Sequence, residues 1–214
     1  MNAEQFFPEE FETLNNNKTK ISYLKGENIF KQGAFAPYII YVVKGLVKVY
    51  LQTGYDKQIN ISIAKTGDFL AFSSIFGENI HTYSTQAITD AEICMIEKES
   101  LKNALLNNPE FALRITSKNY RNERLLIEII KNLSYKQMRG KLASALLYLS
   151  QEEFINENIF ENLSRQEIAD FASISTESAI KFLKEFEKEG IIILNGKNIE
   201  ILHQEKLEQL SKNG

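Results

Sequence analysis

Apolar positions in this chain change their period twice. From residue 19 to residue 97 they come in short β-branched and aromatic runs broken by glycine. Segments 21–24, 28–30, 38–43, 46–51, 58–64, 82–87 and 91–97 have the length and composition of strands. Breaks fall at Lys25-Gly26, Gln32-Gly33, Lys44-Gly45, Thr53-Gly54, Thr66-Gly67, Gly77 and Asp90. Many short strands at this spacing predict a sandwich or barrel, not a parallel α/β sheet. Ahead of them, residues 1–17 predict a short helix with Phe6, Phe7, Phe11 and Leu14 on its apolar side.

After residue 97 the period becomes helical. Residues 99–106 predict a short helix, Pro109 opens another, and 111–133 contain neither Gly nor Pro. Along that run Ile115, Asn119, Asn122, Leu126, Ile129 and Leu133 recur at alternating steps of four and three, the seam of a coiled coil. Leu125, Ile127 and Ile130 lie off the seam and are assigned to packing on the β-domain. The helix is thus expected between its own domain and a second copy, with Ile115, Leu126, Ile129 and Leu133 as the apolar dimer seam. A joint follows at 134–135, then a helix over 138–149 and a polar connector over 151–162.

From Leu163 to Leu202 the pattern is the most informative in the chain. Ser164 with Glu167 three residues on is a capping box. Ile168 and Phe171 stripe that first short helix, and Ala172-Ser173-Ile174-Ser175 makes a turn ending in a new cap, Ser175. Ala179, Ile180, Phe182, Leu183 and Phe186 then give a helical-period face, leaving Thr176, Glu177 and Lys181 on the other side. Gly190 closes the helix, and two apolar segments flank Asn195-Gly196, a two-residue hairpin signal. A helix-turn-helix with a wing places its second helix in a DNA major groove.

Composition narrows the picture. The chain has 214 residues, 43% hydrophobic and 25% charged, as a folded domain or two should. No apolar run is long enough to span a bilayer, and the acidic N-terminus lacks the pattern of a signal peptide. A single cysteine, Cys94, forms no internal disulfide. These features predict a reducing, cytoplasmic address. The net charge is −3, and from residue 137 to the end nine Lys and Arg meet thirteen Asp and Glu, a balance of −4. Phosphate neutralisation supplies most non-specific DNA affinity, so weak non-specific binding with strong salt dependence is expected.

The order of parts resembles the Crp/Fnr family of bacterial transcription regulators. The resemblance spans roughly residues 21 to 202. Its most specific portion is LSRQEIADFASISTESAIKFLKEFEKEGII, and KGENIF, KQG, YIIYVVKGLVKV and GDFLAFSSIF match the family's glycines at Gly26, Gly33, Gly45 and Gly67. It implies an α+β chain with an N-terminal double-stranded β-helix (a jelly-roll like the cyclic nucleotide-binding fold) over 1–108. A dimerisation helix and hinge over 109–134 and a winged helix-turn-helix over 135–214 complete it. The implied partners are double-stranded DNA, a second copy of the chain and RNA polymerase. Mapped by motif, the base-reading positions are Thr176, Glu177, Ile180 and Lys181. Glu177 matches the family's common glutamate, which accepts from a cytosine amino group. Lys181 and Thr176 stand where arginines are usual, so the operator should differ from those of the well-known branches. Ser164, Arg165 and Gln166 at the first helix's N-terminus, Ser175 at the second's, and Lys197 in the wing complete the expected DNA-binding set.

In cyclic-AMP-binding members, a glutamate and an Arg-Ser pair follow the GDF segment. Here Phe72 falls on the glutamate position and His81-Thr82 near the pair, and no arginine occurs between Met1 and Ala112. A phosphodiester calls for fixed positive charge, best supplied by a guanidinium, so cyclic AMP is not the expected effector. One cysteine is too few for an iron–sulfur cluster, and His81 and His203, the only histidines, lie in different domains. Neither haem nor a cupin-type metal site follows, no cofactor or metal is expected, and the chain does not read as an enzyme. The β-roll is either an unliganded scaffold or a pocket for an apolar or neutral effector, lined by Phe72, Ser73, His81 and Thr82 and reached by Asn119 and Asn122. A small-molecule-binding protein with a degenerate helix-turn-helix is the alternative reading.

Overall fold

The computed structural model describes residues 18–55, 57–77 and 79–213, with the side chains of 18, 118–124 and 213 excepted. The helix predicted over 1–17 lies outside the described residues. The chain divides into two compact units, Met1–Glu123 and Arg124–Gly214.

Among the described residues the first unit holds eight strands: β1 (Lys18–Tyr23), β2 (Asn28–Phe30), β3 (Tyr38–Lys44), β4 (Val47–Gly54), β5 (Lys57–Ala64), β6 (Phe69–Leu70), β7 (Ser84–Ala87) and β8 (Ala91–Glu97). They form two four-stranded antiparallel sheets, β1-β8-β3-β6 and β2-β7-β4-β5. The apolar run of β3 is continuous because both of its faces are covered. Ile40 and Val42 enter a cluster with Val47, Val49, Ala87 and Ile93 from both sheets. Ile39 and Tyr41 join Cys94 and Ile96 in a second cluster on the opposite face. Leu101 from α1 (Lys98–Asn107), with Phe111 and Ile115 from α2 (Pro109–Tyr135), closes that second cluster. Strands buried on both faces lose the period-two alternation of half-exposed ones. β6 is only two residues long and escaped the sequence pattern.

Between β3 and β4 the chain reverses at Gly45, whose φ is +88°. A Cβ there would overlap the Asp90 carbonyl oxygen and lie 2.9 Å from the Ala91 Cα. Glycine is required twice over, by conformation and by space.

The second unit contains the last turns of α2, then α3 (Met138–Leu149), α4 (Glu152–Ile155), α5 (Ile159–Asn162), α6 (Arg165–Ala172), α7 (Thr176–Lys188), β9 (Ile192–Asn195), β10 (Asn198–Ile201) and α8 (Gln204–Asn213). The segment expected to be a polar connector is instead two single-turn helices that bury Phe154, Ile159 and Phe160. Tyr148 packs its ring on Phe154 and Phe171, at 5.3 and 5.9 Å between centroids. Segment-average polarity hid three apolar anchors. α8 has no counterpart in the sequence pattern either; it packs on α3, with Leu207 fully buried and the Ser211 hydroxyl hydrogen-bonded to that of Ser144 at 2.7 Å. Its one deep anchor leaves too weak a stripe to read from sequence.

The seam on α2 also differs from expectation. Ile115, 6% exposed, belongs to the first unit's own core. Ile127 and Ile130, expected to be covered, are 52% and 61% exposed alongside Leu126 and Leu133. Ile129 is half-buried. The side chains of Asn119 and Asn122 lie outside those described. A heptad count assigns faces, but which face a sheet covers depends on where the helix leaves that sheet.

Candidate nucleic-acid interface

The helix-turn-helix is α6 and α7. Ser164 caps α6 reciprocally: its hydroxyl accepts from the Glu167 N–H at 3.1 Å, and its own N–H donates to the Glu167 carboxylate at 2.9 Å. The Ser164 hydroxyl also donates to that carboxylate, at 2.9 Å. It is therefore committed inside the helix, while Gln166 is exposed beside it. α6 ends with Ser173 in the left-handed region at φ +52°, where the Ile174 N–H reaches the Ala169 carbonyl at 3.1 Å. That 6→1 bond tightens the turn into α7.

Ser175 caps α7 by accepting from the Ser178 N–H at 3.2 Å. Thr176 is half-buried in the first turn, and Glu177 is exposed. Its own backbone N–H and the neighbouring Ser175 hold the Glu177 pKa below the ordinary value. It remains an anion, able only to accept. One turn on, Ile180 is 39% exposed although it lies in an apolar stripe whose neighbours Ala179 and Leu183 are buried. Lys181 extends from the same side, its side chain 69% exposed, with Nζ 4.0 Å from Glu185 and 5.5 Å from the Phe182 ring centroid. Glu177, Ile180 and Lys181 thus present an acceptor, an apolar contact and a cation within two turns. These are the three chemistries that distinguish base edges in a major groove.

α7 ends in a full Schellman motif, with Gly190 N–H on the Glu187 carbonyl and Ile191 N–H on the Phe186 carbonyl, both at 2.9 Å. β9 and β10 follow as the wing, paired Asn195 to Asn198. The two-residue loop is therefore Gly196-Lys197, one position later than the Asn-Gly signal suggests, with Gly196 at φ +61°. Lys197 is exposed at the tip. Arg165, expected to hold a phosphate, turns back to this loop. Its guanidinium donates to the Lys197 carbonyl at 3.0 Å and the Gly196 carbonyl at 2.7 Å. Burial holds its pKa below the ordinary value. Arg165 joins the start of α6 to the wing across 32 residues, a contact that local sequence does not signal.

In the β-roll the candidate effector residues fall on different surfaces. Phe72 packs against the outer cluster containing Tyr41 and Leu101, Ser73 and Thr82 are exposed, and His81 is 7% exposed. The His81 ring stacks on Phe30 at 3.8 Å and 13°, and its Nδ1 has no hydrogen-bond partner among the described residues. Burial, then the Lys98 ammonium, lowers its pKa. Tyr83, passed over in the sequence, accepts from the Ala71 N–H at 2.7 Å through its hydroxyl. Ala71 itself is left-handed at φ +56°. Among the described residues there is no group of three side chains able to hold a metal, and no helix is long and apolar enough to cross a membrane.

Comparison with known proteins agrees with this geometry. The cyclic nucleotide-binding domain family matches residues 20–108, and the Crp-like helix-turn-helix domain family matches residues 140–210. The cAMP-activated global transcriptional regulator CRP of Salmonella typhimurium is 26% identical over 181 residues, covering 83% of this chain and 86% of its own. The solved structure of FixK2 from Bradyrhizobium japonicum superposes with a TM-score of 0.75 at 22% identity, covering 90% of this chain and 96% of that one. That of a CooA mutant from Carboxydothermus hydrogenoformans gives 0.76 at 22% identity, over 94% and 90%. Two matched domains in the family's order, joined by one long helix and sharing its fold, place this chain in the Crp/Fnr family of DNA-binding transcription regulators.

Proposed function

We propose that the chain works as a homodimer that binds a palindromic operator and regulates transcription without responding to cyclic AMP. The exposed group of Glu177, Ile180 and Lys181 on the first two turns of α7 carries this reading. Lys197 at the wing tip and Gln166 at the start of α6 supply phosphate contacts, and Arg165 holds the wing against α6. Thr176, Ser164 and Ser175 shape the helix starts. The partner copy docks on the exposed stripe of Leu126, Ile127, Ile130 and Leu133, with Ile129 at its edge. Two-fold symmetry then sets the recognition helices about 34 Å apart, one duplex turn. Residues 1–108 form the sensor-like domain, 109–134 the dimer helix and hinge, and 135–214 the DNA-binding domain. The setting is the bacterial cytoplasm, with RNA polymerase as the further partner.

Independence from cyclic AMP rests on three observations. No arginine precedes Arg114, His81 is buried with its charged form disfavoured, and the Tyr83 hydroxyl takes the left-handed Ala71 N–H. An effector of the β-roll is expected to be apolar or neutral, as the unpartnered Nδ1 of His81 suits an uncharged hydrogen-bonding group. The acidic balance of the C-terminal domain favours one competing reading, a sensor whose helix-turn-helix has lost DNA.

Selection from a random duplex pool at low salt separates the two. Enrichment of a two-fold symmetric sequence is expected, and no enrichment overturns the regulator. Replacing Lys181 by Ala should remove selectivity worth about 1–3 kcal/mol at one base pair per half-site. Uniform weakening across sequences contradicts its role as a base reader. Titration with cyclic AMP should leave operator affinity unchanged.

A further inference from the structure

The back of the recognition helix carries a linked set of charges reaching Lys181. Arg139, in the first turn of α3, sets Nη2 2.6 and 2.5 Å from the two carboxylate oxygens of Glu189. Its Nη1 lies 3.8 Å from Glu185 Oε2, and its guanidinium carbon 5.2 Å from the Phe186 ring centroid. The other Glu185 oxygen, Oε1, is the one 4.0 Å from Lys181 Nζ. One carboxylate is therefore shared between a structural arginine and the lysine that faces DNA. Glu185 stands in the last turn of α7 and Glu189 is its C-cap, where the helix dipole disfavours negative charge. The guanidinium reaches both carboxylates at once, Nη2 on Glu189 and Nη1 toward Glu185, with the Phe186 ring beneath it, while its Nε has no partner among the described residues.

We propose that Arg139 is a positioning residue for sequence reading: by holding Glu185 against α3 it leaves the Lys181 ammonium available to a base. This rests on the assignment of Lys181 above. Without Arg139, the cation within 4.0 Å of Glu185 among the described residues is Lys181, four residues away on the same helix. Pairing there draws Lys181 away from the groove, and the domain's balance falls by a further unit from −4.

The test uses the full chain, the selected operator and an operator changed at the base pair that Lys181 selects. Discrimination between the two duplexes is measured for wild type, R139Q, R139K, E185Q, R139Q/E185Q and K181A, with a thermal melt of each. R139Q should lose roughly tenfold in discrimination, about 1.4 kcal/mol and so within the worth of one good base contact. E185Q should discriminate as wild type does, and R139Q/E185Q should recover to within roughly threefold while melting no higher than R139Q. R139K, which keeps the charge without the fork, should fall between wild type and R139Q. Were Arg139 only cement between helices, discrimination would follow melting temperature and removing Glu185 would not restore it. Wild-type discrimination by R139Q, or no recovery in the double variant, overturns the proposal while leaving Lys181 as the base reader. Unchanged discrimination in K181A overturns that assignment and the proposal together.

Discussion

At the level of single residues, the positions that tolerate least are those where backbone and space agree. Gly45 combines φ +88° with the Asp90 carbonyl oxygen where a Cβ would go. The left-handed strain alone costs about 1–2 kcal/mol for a non-glycine residue, and the overlap adds to it. Gly45→Ala should therefore lower unfolding free energy by more than roughly 2 kcal/mol in a denaturant titration. His81 gives a pH dependence. Burial and Lys98 lower its pKa in the folded state, so as pH falls below the ordinary value of 6.5 the unfolded chain takes up the proton first. The stability tied to neutral His81 is complete above that pH and drains away on acidification. A melting series from pH 7.5 to 4.5 should show the loss, and His81→Phe, which keeps a ring on Phe30, should flatten that part of the profile. Tyr41 acts at the other extreme: burial, then Asp68 and Cys94, push its phenol up to about 12, so its ultraviolet titration should stay silent near pH 10.

At the level of elements, the helix-turn-helix was legible because its signals are local. Ser164 with Glu167, Ser175 with Ser178, and Gly190 all act within a few residues, and each forms the bond its spacing implies. Ser164→Ala should cost about 1 kcal/mol, the usual worth of an N-cap, read from the unfolding of the C-terminal unit. Ser173 is the opposite case. It holds φ +52° without being glycine, so Ser173→Gly should be neutral to stabilising by up to about 1 kcal/mol, with operator affinity unchanged. The wing's position was not legible. It depends on Arg165 donating to carbonyls 31 and 32 residues away, and no period or cap encodes such a contact. The residues 151–162 misled for a related reason, since Phe154, Ile159 and Phe160 turn inward from a mostly polar stretch.

At the level of the whole molecule, the dimer proposal makes its own prediction. Ile130→Glu, at a position 61% exposed in the single chain, should shift the protein to monomer in sedimentation without lowering its melting temperature by more than a few degrees. The same variant should lose the two-fold symmetric operator while keeping weak half-site binding. The resemblance supplied the jelly-roll form, whereas the sequence pattern by itself determined a sandwich or barrel of short strands, the helices after residue 97 and the existence of the helix-turn-helix. Each follows from periodicity, caps and glycine breaks, which act between near neighbours along the chain. Only the tertiary structure decided that Ile115 belongs to its own core while Ile127 and Ile130 face outward, that Tyr83 takes the Ala71 N–H, and that Arg139 reaches Glu185 and Glu189. Those facts depend on which surfaces meet across tens of residues, and solvent exclusion at such meetings leaves no period in the chain.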